Sequence, residues 1–415
     1  MTALAARITA ERLPAYALFA ALLAAAGLPI YIHAPKFYVD EYGVSLAALG
    51  AVLFGLRLLD VVQDPLLGRL SERFRHRRSL AVGIGLIVIA LAMLGLFAVE
   101  PPISPLIWFI LMLTCVFSAF SFLTINFYAQ GVLKADQMPG NGHLRLARWR
   151  ETGALLGVCM AAIAPVALGV AMDRPFAGFA VGFAIVALMA LLAMREEWNA
   201  AHAAPSQGFG VVIRDALARR LLLIALLNAA PVAVSSTLFL FFVESRLLAP
   251  GMEGPLLLVF FLSAALAAPL WGKLAETHGA RRVLLFAMVL AIVAFGFALT
   301  LGAGDVAAFA VICLVSGAAL GADLTLLPAM FATRMAEIAP SASEGFGLWS
   351  FVSKFTLAFA AAVLLPLLDA SGFRAGPENP EEALTLLTWL YAGVPCVLKV
   401  LAIILLARTK MKENG

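Results

Sequence analysis

Long apolar runs recur along the whole chain, separated by short polar stretches rich in arginine, glycine and proline. Each run is long enough, as a helix, to cross roughly 30 Å of hydrocarbon. The pattern predicts twelve membrane-spanning helices, at about 13–38, 45–67, 79–99, 103–130, 149–171, 176–195, 218–243, 253–274, 281–301, 304–330, 346–368 and 384–408. The longest connection, 196–217, has the Ala, Pro, Ser and Gly content of a linker and divides the spans six and six. The expected organisation is an N-terminal six-helix bundle over 1–195, a linker over 196–217 and a C-terminal six-helix bundle over 218–415. Little chain is left for a soluble domain. The first apolar stretch runs past the length of a signal-peptide core, so it is expected to stay as a span.

An internal repeat supports the division. "PLLGRLSERFRHRR", Pro65 to Arg78, matches "PLWGKLAETHGARR", Pro269 to Arg282, at an offset of 204 residues. The shared positions include Gly68, Arg69, Glu72, Arg77 and Arg78 in the first copy, and Gly272, Lys273, Glu276, Arg281 and Arg282 in the second. Each copy follows the second span of its half, the arrangement that parallel repeats give in transporters. The Gly-basic-Leu-x-Glu…Arg-Arg loop resembles the short cytoplasmic loop motif of the major facilitator superfamily. The competing reading is a generic tight turn, which the repetition at one topological position disfavours.

Composition agrees with a membrane class: 63% of the 415 residues are hydrophobic and 13% charged, against roughly 25% charged in soluble domains. The net charge of +4 invites comparison with nucleic-acid binding. Its distribution points elsewhere. With both termini inside, inner segments hold 22 of the 29 Lys and Arg residues and outer loops four, so the basic excess is an orientation signal. The four cysteines, Cys115, Cys159, Cys313 and Cys396, lie inside apolar runs and read as small buried hydrophobes. The sequence carries no His-Glu-x-x-His, Gly-x-Ser-x-Gly or glycine-rich phosphate loop, so no enzyme is expected.

The second span breaks the apolar pattern. At about 100° per residue, Arg57, Asp60 and Asp64 fall at about 0°, −60° and −20°, one narrow stripe. A charge at mid-bilayer costs roughly 2.5–3.5 kcal/mol on insertion scales, so the stripe is expected to face protein or water. Two carboxylates one turn apart repel, and such a pair wants a proton, a metal cation or a fixed positive side chain. Pro65 frees the Val61 carbonyl from its helical partner, which adds an oxygen that can face a cation. In the repeat, Asp60 and Asp64 correspond to Ala264 and Ala268, so the carboxylates are not part of the duplicated scaffold. A buried ion-pair latch between helices is the competing reading. The expected counter-charge is Lys354, about eight residues, roughly 12 Å, inside its span and matched in depth to Asp60. Lys399, alone in the last span, reads as peripheral as readily as functional.

"YVDEYGVSLAALGAVLFGLRLLDVVQDPLLGRLSERFRHR" resembles the first third of the glycoside–pentoside–hexuronide (melibiose permease-like) cation symporter family. In that family an Arg-x-x-Asp-x-x-Asn-Asp-Pro-x-x-Gly stretch supplies the cation-binding carboxylates, and Arg57, Asp60, Asp64, Pro65 and Gly68 match it position for position. The resemblance implies that Lys354, in "SEGFGLWSFVSK", is the lysine near the cation site, and that Arg150 is the arginine contacting sugar. There are departures. Gln63 replaces the family's asparagine, which weakens the case for sodium. Ala24 stands where a sugar-binding aspartate is usual, and Ile125 or Asn126 where another is. Asp323 is a candidate substitute contact or proton carrier, with an interhelical hydrogen bond as the competing reading.

The expected protein is therefore an all-α membrane protein with the major facilitator fold, two pseudo-symmetric six-helix bundles. Its expected function is cation-coupled symport of a small solute, a sugar or glycoside, by alternating access. Asp60, Asp64, Lys354 and Arg57 would couple the ion. Arg150, Glu151, Asn126 and Asp323 would contact substrate. Proton is preferred over sodium, for which Asp60 and Asp64 would be the metal ligands; no cofactor is expected. The partners are a small-molecule substrate and membrane lipids, not nucleic acid, with function as a monomer in a bacterial-type inner membrane. The alternative is a carrier or exporter of amphipathic, lysolipid-like or other non-sugar molecules.

Overall fold

The computed structural model describes residues 12–199, 208–339, 341–374, 376 and 378–409. Among these residues the chain is helical throughout, with no strand. In order the helices are α1 (Leu13–Ala25), α2 (Leu28–Tyr42), α3 (Leu46–Arg73), α4 (Arg78–Phe97), α5 (Pro105–Asp136), α6 (Gly142–Leu168) and α7 (Pro175–Met194). Then come the short α8 (Phe209–Arg214), α9 (Ala216–Phe241), α10 (Glu253–His278), α11 (Ala280–Gly296), α12 (Val306–Ile338), α13 (Ser343–Ala370), α14 (Glu381–Thr388) and α15 (Val394–Ala407). A π-helical turn over Phe242–Arg246 prolongs α9, and another over Trp389–Gly393 joins α14 to α15.

Among the described residues, ten of the resulting rods are long and apolar enough to cross a bilayer. The other two are α1 with α2, which a break at Gly27 separates, and α3, which carries the charged stripe. Each of the twelve expected spans thus has its helix. Of the expected linker, residues 200–207 lie outside the described residues, and Phe209–Arg214 is the helical turn that precedes α9.

Local chemistry sets the ends. The Ser45 hydroxyl accepts from the Ala48 amide and caps α3, and an Asp215 carboxylate oxygen accepts from the Ala218 amide at 2.7 Å and caps α9. Proline opens α1, α5 and α7, where its missing N–H is one of the orphans of a first turn. Prolines also lie inside α3, α6, α9, α10, α12 and α13. Neighbouring helices and hydroxyls make them tolerable in a membrane.

The chain divides into two compact units, Met1–Val212 with Met335–Phe351, and Ile213–Arg334 with Val352–Gly415. Helix α13 begins in the first and ends in the second. Each unit has its own apolar core: one runs from Leu13 to Trp198, the other from Ala233 to Ala392. Side chains such as Leu66, Val170, Leu266 and Leu270 stay exposed, the surface a bilayer solvates.

Within the first unit, α1 and α6 touch backbone to backbone. A Cβ at Gly153 would lie 2.2 Å from the Ala17 carbonyl oxygen, and one at Gly157 2.4 Å from that of Ala21. Small residues one turn apart on both helices permit this approach. The start of α13 crosses α3 in the same way, with Gly347 and Gly68 facing each other: a Cβ at Gly347 would meet the Gly68 Cα at 3.3 Å.

Candidate functional site

The Gly68–Gly347 crossing positions the carboxylates of α3. Asp64, one turn before Gly68, is fully buried, and its Oδ2 accepts from the Ser350 hydroxyl at 2.5 Å, one turn after Gly347. Asp60 is buried too, and its Oδ1 accepts from Gln63 Nε2 at 2.7 Å. Gln63 is fixed in turn, because its Oε1 accepts from the Ser118 hydroxyl of α5 at 2.9 Å. Each carboxylate thus meets a neutral donor. The Arg57 side chain lies outside the described residues. Lys354 is half-buried, one turn beyond Ser350 along α13, in the stretch that belongs to the second unit.

Arg150 and Glu151 form a second cluster in the first unit. Both are buried more than two turns into α6, where Arg150 Nε donates to Glu151 Oε1 at 2.7 Å. The Arg150 guanidinium lies over the Tyr128 ring, 3.8 Å from its centroid, and the Tyr128 hydroxyl donates to the same Glu151 oxygen at 3.1 Å. Cation–π contact and ion pair hold the guanidinium plane. Arg150 Nη2 is buried and bonds no described residue.

Asn126 links two helices: its Nδ2 donates to the Phe122 carbonyl of its own helix at 2.8 Å, and its Oδ1 accepts from Ser71 of α3 at 2.8 Å. Asp323 sits in the second unit, where Lys399 Nζ donates to its Oδ2 and, at 2.6 Å, to Asn228 Oδ1. The structure thus brings Arg150 to Glu151 and Lys399 to Asp323. Lys399 is 5% exposed, an interior residue rather than a peripheral one. Among the described residues, no three His, Cys, Asp or Glu side chains gather to hold a metal ion.

The repeated loops anchor helix ends. In the first, Gly68 makes the close crossing, the Arg69 guanidinium lies over the Phe209 ring at 4.9 Å, and Arg75 donates to Glu72 at 3.0 Å. Arg77 is exposed, whereas Arg78 is buried and donates to Gln130 at 3.1 Å and Ser343 at 3.4 Å. In the second loop, Gly272 is buried, Lys273 and Arg282 are exposed and Glu276 is half-buried. Arg281 donates to the Leu406 and Ala407 carbonyls, the last turn of α15. Cations at helix C-termini complement the dipole there. At the start of α9, Asp215 is clamped by Arg334 of α12 with bonds of 3.0 and 2.5 Å. Those bonds hold the Asp215 carboxyl below the usual carboxylate range.

Two units of apolar helices with buried charges define a polytopic membrane protein. The sequence matches the family of MFS/sugar transport proteins over residues 14–413. The chain belongs to that family and hence to the major facilitator superfamily. Solved structures agree on the fold. A bacterial homologue of the iron transporter ferroportin, in its outward-facing state, is similar with a TM-score of 0.70 at 14% identity, over 95% of this chain and 98% of that one. The human organic anion transporter MFSD10 (TETRAN) is similar with a TM-score of 0.65 at 15% identity, over 95% and 98%. No curated protein matches the sequence.

Proposed function

We propose that the protein is a cation-coupled symporter that takes up a small hydroxylated solute, a sugar or glycoside, by alternating access. The observation that carries this reading is the buried pair Asp60 and Asp64, one helical turn apart, each already met by a neutral hydrogen-bond donor. Two buried carboxylates at that spacing favour a state with one added positive charge. The coupling ion binds there, proton in preference to sodium, since a carboxylate pair exchanges protons without a full cage of oxygens. Arg57 orients the carboxylates, and Lys354 competes with the ion as an internal cation. The solute is held by Arg150 Nη2 and Glu151. The expected setting is a bacterial-type inner membrane with both termini cytoplasmic and a single chain as the working unit. The glycoside–pentoside–hexuronide resemblance supports sugar as the cargo.

The test is uptake in cells carrying Asp60→Asn. Uphill accumulation should disappear while the protein still inserts in the membrane. Normal concentrative uptake by that variant would sink the coupling assignment. A sodium gradient driving uptake at fixed pH, with no response to a pH gradient, would reassign the ion.

A second reading, carriage of an amphipathic or lysolipid-like molecule, is favoured by the apolar α1, where Ala24 stands at the position of the resembled family's sugar-binding aspartate. Thermal protection of the purified protein by lysolipids and not by sugars would select it.

A further inference from the structure

The second unit contains a charged cluster that the coupling reading leaves unused. Lys399 of α15, Asp323 of α12 and Asn228 of α9 are 5%, 5% and 6% exposed, and the lysine donates to both others. The pair opens on a cavity of about 60 Å³, the volume available to the centre of a water molecule. That is room for about four water-sized groups. Ser235, Ser316 and Cys396 supply the remaining polar lining, and Phe260, Phe295 and Leu320 are among the apolar walls.

A donor and acceptor inventory restricts the occupant. Asp323 Oδ1 is buried and accepts from no described residue. An ammonium carries three hydrogens, and the contacts of Lys399 engage two of them. The Ser235 and Ser316 hydroxyls donate to carbonyls of their own helices, at 2.9 and 2.6 Å, and so offer the cavity lone pairs. An occupant must therefore give a hydrogen to Asp323 and can accept one from Lys399. A hydroxyl does both. Charge narrows the class further, since Lys399 and Asp323 sum to zero. An ammonium ligand would leave a buried net positive charge, and a carboxylate would oppose Oδ1, each at a desolvation cost the hydroxyl avoids.

We propose that this cavity is a binding site for a small uncharged solute bearing hydroxyl groups, a diol or the end of a polyol. One hydroxyl donates to Asp323 Oδ1 and accepts from Lys399 Nζ, and the carbon skeleton lies against Phe260, Phe295 and Leu320. The site stands independently of the ion at Asp60 and Asp64.

The experiment uses the full-length protein with Cys115, Cys159 and Cys313 replaced by alanine, leaving Cys396 in the cavity wall. The rate at which a small methanethiosulfonate reagent labels Cys396 is followed with three probes of one skeleton: 1,2-propanediol, 1-amino-2-propanol and lactate. Calorimetry with the same probes reads binding without the thiol. The diol should slow labelling saturably and bind, and the ammonium and carboxylate probes should not. The charge-balanced double variant Asp323→Asn/Lys399→Met should weaken the diol by about tenfold or more, the loss of one hydrogen bond to a charged group. If that variant does not fold, Leu320→Phe, which narrows the cavity from its apolar wall, should abolish diol binding instead. Tighter binding of either charged probe overturns the ligand class. Absence of protection and heat with every probe means a cavity for water only and overturns the site, as does a double variant that binds the diol unchanged.

Discussion

Gly153→Ala tests the contact between α1 and α6. The added Cβ would lie 2.2 Å from the Ala17 carbonyl oxygen and 2.6 Å from the Ala17 Cα, where ordinary contact begins at 3.4 Å. The helices must part by about 1 Å, since the obstacle is main chain and not a side chain that can rotate. Overpacking of a filled interior costs about 1–3 kcal/mol, and a backbone obstacle places this change at the upper end. Alanine's better helix propensity returns only about 0.8–1.0 kcal/mol. Gly182 on α7 is the control, because a Cβ there meets nothing within 4 Å. Thermal unfolding of the purified variants, followed by tryptophan fluorescence, should put Gly153→Ala below the parent and Gly182→Ala at or above it. The same displacement moves Arg150 and Glu151, which lie within one turn of Gly153 on α6. Uptake by Gly153→Ala should therefore fall even at temperatures where it stays folded. A Gly153→Ala protein with the parent's melting temperature would refute the close crossing.

Three further perturbations address the proposed site and its frame. Ser350→Ala removes a hydroxyl that donates to Asp64 and should weaken apparent ion affinity by about fivefold, the worth of one hydrogen bond; Ser350→Thr should keep it, and an unchanged ion dependence in the alanine variant would remove Ser350 from the site. Arg150→Lys keeps the charge but loses the planar fork and the stack on Tyr128, so KM for the transported solute should rise several-fold at normal expression. Arg334→Gln should lower the melting temperature at pH 7. Because the Arg334 bonds depress the Asp215 carboxyl in the folded protein, their stabilisation is present above the unfolded value near ~3.9 and lost as pH falls through the folded one. The gap between parent and variant should hold above about pH 4 and narrow as pH falls from there through the lower folded value. A gap independent of pH would assign the effect to packing.

The sequence pattern reaches some of this structure and stops for identifiable reasons. Hydropathy locates every rod because a bilayer demands about twenty apolar residues in a row. It misses ends, since it reports hydrocarbon and not hydrogen bonds: α6 starts at Gly142 and α12 runs on to Ile338. The expected single span over 13–38 is two helices. The signal for the break is in "AGLPIY", where Gly27 precedes Leu28 and Pro29 opens α2. Asp60 and Asp64 stand out because charge in an apolar run is costly. Their partners do not, since Gln63 is one amide beside the stripe and Ser350 is an ordinary hydroxyl on a helix far along the chain. Lys399 shows the same limit. Its cost was visible, but only packing reveals which of eleven other spans supplies the carboxylate.

The repeat also explains why the carboxylates occur in one half alone. Ala264 and Ala268, at the positions of Asp60 and Asp64, are fully buried, and a Cβ at Gly321 of α12 would lie 2.7 Å from the Ala264 carbonyl oxygen. In the second unit, then, this register forms a backbone-close crossing of α10 and α12. A carboxylate needs donors and space around it, and a crossing that excludes even one methyl leaves little of either. In the first unit α3 instead meets the start of α13, where a Cβ at Gly347 would lie 3.2 Å from the Asp64 carbonyl oxygen and 3.3 Å from the Gly68 Cα, a looser contact that leaves the Asp60 and Asp64 side chains the Gln63 amide and the Ser350 hydroxyl as donors. The second unit keeps its buried charge on other helices, where Asp323 and Lys399 meet beside a cavity. A duplicated scaffold can therefore hold two chemistries, because the position that one copy uses for packing is the one that the other leaves open for charge.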